Sequence, residues 1–167
     1  MKKTIIIILM IFVMSFIIGI FTTKNINTQI NIKATSKVIW EHLVSFDRYP
    51  EWNPFIKKIS GQLSKGSKIA VTIKPPGKES MDFEPNLLEV NTTKELRWLG
   101  RVLLPKLFDG EHYFILESMP DGSTQFTQGE NFSGILALIL WSSIEKDTRK
   151  GFEEMNAALK IRSEAKK

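Results

Sequence analysis

Trp141, Ile144, Thr148, Phe152, Met155 and Leu159 follow one another at spacings of 3, 4, 4, 3 and 4 residues. That spacing returns each side chain to one side of a 3.6-residue helix, so the C-terminal part of the chain is one long helix with a continuous stripe to bury. A stripe of this length needs a broad apolar partner, and the pattern upstream supplies strands. Ile26, Ile30 and Ile32 stand among polar neighbours in the alternating run Ile26 to Ile32. Ile69, Val71 and Ile73 alternate with Ala70, Thr72 and Lys74, and Met81 and Phe83 resume the period after Pro75-Pro76-Gly77. Leu96 to Leu99 is a further strand, and His112 to Leu116 and Gln125 to Phe132 form a hairpin closed by Pro120-Asp121-Gly122-Ser123. One shorter helix precedes most of these strands. Ile39, Leu43 and Phe46 recur at helical spacing, Thr35 or Ser36 is placed to cap it, and the stretch Asp47 to Pro54 ends it. A short helix, antiparallel strands and a long closing helix make an α+β domain.

Composition removes several kinds of chemistry. The 167 residues are 43% hydrophobic and 25% charged, which suits a domain with a real core. There is no cysteine, so disulfides, thiolate nucleophiles and Cys-based metal sites are excluded, and two histidines do not favour a His-rich metal site. No metal and no cofactor is expected. The net charge is +5, but Lys2 and Lys3 belong to an N-terminal segment. The other 21 basic residues are spread along the chain against 18 acidic ones, and no nucleic-acid partner is expected.

Ile5 to Phe21 is an apolar run of 17 residues broken only by Ser15 and Gly19. About 20 such residues span a hydrocarbon core of ~30 Å, whereas a secretory signal has a shorter apolar centre and a small-x-small cleavage site, absent around Gly19 to Thr23. The reading is an uncleaved signal-anchor, a transmembrane helix over residues 1–23, with residues 24–167 as the folded domain. A cleaved signal and a buried core helix are the alternatives. Lys2 and Lys3 favour a cytoplasmic N-terminus and an extracytoplasmic domain, although Lys24, Lys33 and Lys37 beyond the span weaken that bias. Secretion after cleavage and a cytoplasm-facing domain are the other locations.

The blocks Val38-Ile39-Trp40, Phe46 to Phe55, Leu96 to Gly100, Phe108 to His112, Glu130 to Gly134 and Thr148 to Lys160 occur in an order that resembles the START-like helix-grip superfamily, also called SRPBCC, in its bacterial polyketide cyclase/dehydrase-like branch. The resemblance covers nearly all of residues 27–162. It implies a curved antiparallel sheet wrapped around the C-terminal helix, with an apolar cavity between them. It does not choose an activity, because the superfamily holds lipid carriers, hormone receptors, cyclases, hydrolytic enzymes and co-chaperones.

A hairpin loop of about five residues places His112, Phe114 and Leu116 on one face with Glu130, Gln128, Phe126 and Phe132. A gripping sheet turns that face inward, and its mixture of apolar and polar groups suits a ligand cavity. His112, Gln128 and Glu130 are candidates to orient a ligand's polar end, with Trp98, Phe114, Phe126 and Phe132 as walls and Trp52 at the mouth. The same His112 and Glu130 are the candidate catalytic acid–base pair, or else a structural polar pair under the helix. Trp40 reads as helix packing, Asn53 as a turn former, and Ile135 to Leu140 as the gripped start of the closing helix or a membrane-facing lid.

The reading carried forward is a membrane-anchored protein that binds a hydrophobic small molecule or lipid. Alternatives are a cyclase, dehydratase or hydrolase using His112 and Glu130, and a protein-interaction or stress-response module presenting the outer sheet face.

Overall fold

The computed structural model describes residues 22–165 and, before them, the single positions Thr4, Ile6, Ile7, Met10 and Met14, which are helical and exposed. The rest of the expected membrane span lies outside the described residues, and no described helix is long and apolar enough to cross a membrane.

In chain order the domain has β1 (Thr23–Ile32), α1 (Ser36–Val44), a 3-10 turn (Phe46–Arg48), α2 (Tyr49–Trp52), β2 (Ile56–Gly61), β3 (Ile69–Ile73), β4 (Met81–Phe83), β5 (Asn86–Asn91), β6 (Glu95–Arg101), β7 (Asp109–Ser118), β8 (Thr124–Ser133), α3 (Ile135–Ile139) and α4 (Trp141–Glu164). Two antiparallel sheets form, one in the order β1-β8-β7-β6-β5 and one in the order β2-β3-β4. They are joined where the start of β3 meets β5: Gly66 N–H donates to the Leu87 carbonyl at 2.8 Å and Ile69 N–H to the Pro85 carbonyl at 3.0 Å. The helix α4 lies against β1, β8 and α1. This is the helix-grip arrangement.

The stripe on α4 explains that seating. Thr148, Phe152, Met155 and Leu159 are buried, whereas Trp141 and Ile144 are only half-buried. A buried polar chain sets the helix's position along the sheet: Asn156 Nδ2 donates to Thr28 Oγ1 at 2.9 Å, and that hydroxyl donates to the Gln128 carbonyl at 3.1 Å. Each link satisfies a group that would otherwise be costly to bury.

Elsewhere the residues explain their local structure. Ile39, Trp40 and Leu43 face the core from α1. Tyr49 is fully buried and donates its hydroxyl to the Leu43 carbonyl at 2.8 Å; burial pushes its phenol pKa well up. Asn53 Oδ1 accepts from the N–H groups of Phe55 and Ile56 at 2.9 and 2.8 Å, so it forms the turn into β2 as expected.

Two expectations are corrected. No side-chain hydroxyl caps α1: Thr35 makes no capping bond, and Ser36 turns its hydroxyl to Ser118 and Thr124. Ile135–Leu140 is not a gripped start of the closing helix. It is a separate short helix whose end exposes Ile139 and Leu140. Gly134 leads into α3 at φ 107° against the Lys106 and Leu107 carbonyls, where a Cβ would collide, and Leu140, at φ −90° and ψ 1°, separates α3 from α4. Two strands not expected from the sequence, β2 and β5, break the period-two signal because each carries a register shift, between Ile56 and Lys58 and between Leu87 and Glu89.

Candidate functional site

The β7–β8 register is the expected one. Ser118 pairs with Thr124 across a five-residue loop, and His112 lies opposite Glu130, Phe114 opposite Gln128, and Leu116 opposite Phe126. On the other side of β7, Trp98 is the partner of His112. The inner face therefore carries Trp98, His112 and Glu130 side by side on three adjacent strands.

Two residues further along, on the same face, the strands pair Gly100 with Gly110, and Gly110 with Phe132. Two facing glycines remove side-chain volume where the next layer of the core would otherwise stand. A cavity of about 540 Å³ opens there. Its floor is Trp98, His112, Glu130 and Phe132. Leu136, Leu140, Ile144 and Thr148 from α3 and α4 form one wall, and Ile56, Val71, Ile73, Met81 and Phe83 from the smaller sheet form the other. Its polar edge includes Lys78 and Asp147, paired at 3.3 Å, an ion pair that ties the β3–β4 loop to α4 beside the cavity.

Gly110 has a second role. A Cβ at this position would overlap the Glu130 carboxylate, so the glycine leaves room for that group to lie over β7. His112 Nδ1 stands 3.6 Å from Glu130 Oε2, longer than a hydrogen bond. On its other edge Nε2 is 3.4 Å from Gln128 Nε2. With the amide donating, Nε2 accepts and the ring proton sits on Nδ1, directed at the carboxylate. The ring is also held by aromatic contacts. Trp98 stacks on it at 4.6 Å between centroids with 10° between planes, and Phe114 and Phe152 meet it edge-on at 4.8 and 5.0 Å. An imidazole so clamped presents one N–H in one direction, which can orient a polar ligand atom or hold a proton for transfer.

Four of the eight residues expected to contact ligand line the cavity: Trp98, His112, Glu130 and Phe132. Phe114, Phe126 and Gln128 lie deeper, fully buried beneath Met155 and its neighbours, with Gln128 Nε2 3.4 Å from the Met155 sulfur. Gln128 acts on the site only through His112. Trp52 is away from the cavity, packed against Tyr49 at 5.2 Å. Gly100 and Gly110 were not anticipated as site-forming, whereas Leu136 and Leu140 fall in the stretch for which a lid was the alternative reading. Two glycines inside strands were the available signal. Among the described residues no group of acidic and histidine side chains is arranged to hold a metal ion.

The outer sheet face is polar. Its one large aromatic, Tyr113, is 7% exposed, lies under the Arg97 guanidinium at 4.8 Å, and accepts from Asn25 and Asn27 at 3.2 and 3.1 Å. Arg97 in turn pairs with Glu95 and Glu111.

Residues 23–164 match the family described as polyketide cyclase / dehydrase and lipid transport, and the chain belongs to that family. No curated protein matches it. Among solved structures, the Zhui aromatase/cyclase from a Streptomyces species is 11% identical with a TM-score of 0.67, over 84% of this chain and 94% of that one. A START superfamily protein from Mycobacterium smegmatis is 18% identical with a TM-score of 0.64, over 84% and 97%. Norcoclaurine synthase from Thalictrum flavum, in complex with dopamine and hydroxybenzaldehyde, is 14% identical with a TM-score of 0.65, over 87% and 90%. At these identities the likeness is one of fold.

Proposed function

We propose, with that family membership as the premise, that the chain binds a hydrophobic small molecule or lipid in the cavity and is held at a membrane by its N-terminal segment. The observation that carries the binding reading is the cavity, about 540 Å³ with mostly apolar walls and the His112–Glu130 pair on its floor. Ligand pockets commonly have this size and this mixture. Each methylene buried there contributes ~0.8 kcal/mol before ordering costs, so a chain of several carbons suffices for useful affinity. Glu130 and the His112 N–H then select a ligand with one polar end.

Native mass spectrometry of residues 22–167, purified without detergent, tests this. A discrete adduct of lipid or other apolar mass is expected. A bare protein mass, unchanged after incubation with membrane lipid extract, overturns it.

The anchor reading rests on the apolar run Ile5 to Phe21, and Lys2 and Lys3 support a domain outside the cytoplasm, against the weaker opposing pull of Lys24, Lys33 and Lys37. The native chain has no cysteine, so a Lys94→Cys variant carries a single thiol. Labelling by an impermeant thiol reagent in intact cells is expected, and protection until lysis reverses the orientation.

The 3.6 Å separation favours a second reading. The carboxylate and imidazole stand beyond hydrogen-bond distance of each other and both line the cavity, so a carbonyl compound bound over the pair can contact acid and base together. A substrate recovered as the adduct and turned over by the wild type but not by folded His112→Ala supports catalysis. Equal turnover by that variant rejects it.

A further inference from the structure

The cavity end of the domain carries an apolar rim that none of the described residues covers. After Arg101 the β6–β7 connection presents Leu103 and Leu104, 84% and 68% exposed, and α3 ends on Ile139 and Leu140, 67% and 46% exposed. The two prongs are tied together, since Leu136 N–H donates to the Leu107 carbonyl at 3.0 Å. Leu103 stands at φ 64°, a conformation that bulky side chains rarely adopt, so the loop holds a large apolar residue outward at a local cost. Val102 and Leu140 also line the cavity, so the rim borders the mouth.

What covers this rim is set by where the chain comes from. β1 begins at Thr23, and Thr23 pairs with Ser133, two residues before α3. The residues before Thr23 include Ile5 to Phe21, an apolar run of membrane-spanning length, and they join the domain beside the rim. A bilayer that holds that run therefore lies against this end, with almost no linker between. Charge agrees. Lys24, set over the Trp141 ring at 5.8 Å, and Lys106 flank the rim as anionic headgroups would require, while Arg101 is partly compensated by Asp109 at 3.5 Å. The opposite end of the sheet ends in the polar loops Asn91–Lys94 and Asp121–Gly122.

We infer that Leu103, Leu104, Ile139 and Leu140 dock into the surface of the lipid bilayer, with the cavity mouth facing the membrane. Its consequence for exchange rests on the binding reading above: a ligand passes between membrane and cavity without crossing bulk water. Docking itself does not depend on ligand binding; it rests on the anchor reading of Ile5 to Phe21.

The test uses the full chain, reconstituted in phosphatidylcholine–phosphatidylglycerol vesicles that contain a headgroup-level doxyl lipid. Single-cysteine variants Leu103→Cys, Ile139→Cys and Lys94→Cys each carry an environment-sensitive fluorophore. Quenching of the two rim probes at least about threefold above that of Lys94→Cys is expected for a docked apolar patch. Equal quenching at all three positions overturns the inference, as does failure of the full chain to partition into the vesicles. A quenched rim with a bare mass spectrum overturns ligand binding and leaves docking standing; a bound ligand with an unquenched rim does the reverse.

Discussion

At the end of the inner sheet face nearest the β7–β8 loop, Phe114, Phe126, Met155 and Leu159 are fully buried and fill the space beneath α4. At the other end, Gly100 and Gly110 stand where the next large side chains would be, and the space is hollow. The same strands and the same hydrogen-bonded ladder serve both. Rings continue from one end to the other, with Phe126 against Phe114 at 5.7 Å, Phe114 against Trp98 at 5.4 Å, and Trp98 against His112. The filled end thus stiffens the floor of the hollow one. The difference teaches that a binding cavity in this fold needs no separate architecture; two missing side chains and a helix that breaks at Leu140 suffice.

The largest test of that division is truncation on each side of it. Phe126→Ala at the filled end is expected to cost ~3–5 kcal/mol in denaturant unfolding, as for other large buried aromatics. Phe132→Ala beside the cavity is expected to cost about 2 kcal/mol, because one side of its ring already faces open space. Equal costs would mean that the cavity is closed in solution.

Gly151→Ala probes the helix between the two ends. A Cβ there would overlap the Phe55 ring, so overpacking costs ~1–3 kcal/mol. The gain in helix propensity, about 1 kcal/mol, offsets only part of it. A net stabilisation would show that Phe55 moves aside into the cavity it borders.

Filling the hollow end sharpens the comparison further. At Gly100 a Cβ meets only ordinary contacts, the nearest at 3.8 Å. Gly100→Leu is expected to change stability by about 0.5 kcal/mol or less, yet to weaken ligand binding at least about tenfold. Unchanged binding, measured by adduct occupancy, would place the ligand elsewhere.

The smallest effect concerns the last turn of α4. Hydrogen bonds from Arg48 and then Arg162 hold the Glu51 carboxyl below the usual carboxylate range. A lowered folded-state pKa means that its stabilisation is present above the unfolded-state value and is lost as pH falls through the folded one. In Arg162→Ala the loss of stability on acidification should therefore be shallower at low salt. The difference should shrink as salt screens this exposed group. Identical acid profiles at low salt would show that the contact adds nothing.

Much of the hollow end's floor was legible in the chain. The alternation of His112, Phe114 and Leu116 and the matching alternation from Phe126 to Phe132 exclude one-residue slips, and a loop of five residues selects His112 opposite Glu130 among the registers that remain. The stripe from Thr148 to Leu159 was legible for the same reason. Trp52 was not, because its environment depends on Tyr49, whose burial no local pattern announces. Phe114, Phe126 and Gln128 share the correct face with His112 yet lie outside the cavity, because the face alone does not say how far the helix covers it.

Sequence by itself determined the periods and the faces, because each follows from backbone geometry repeated over neighbouring residues, and its blocks pointed to the family; the hairpin register hung on a loop length that the strand pairing decided. Tertiary structure decided where the core stops. A void is a difference between volumes supplied by elements far apart in the chain: Gly100 on β6, Gly110 on β7, Phe83 on β4 and Leu140 at the end of α3. No periodicity records that difference. It also decided that the rim and the start of β1 share one end, since Thr23 and Ser133 meet only when the first and last strands pair.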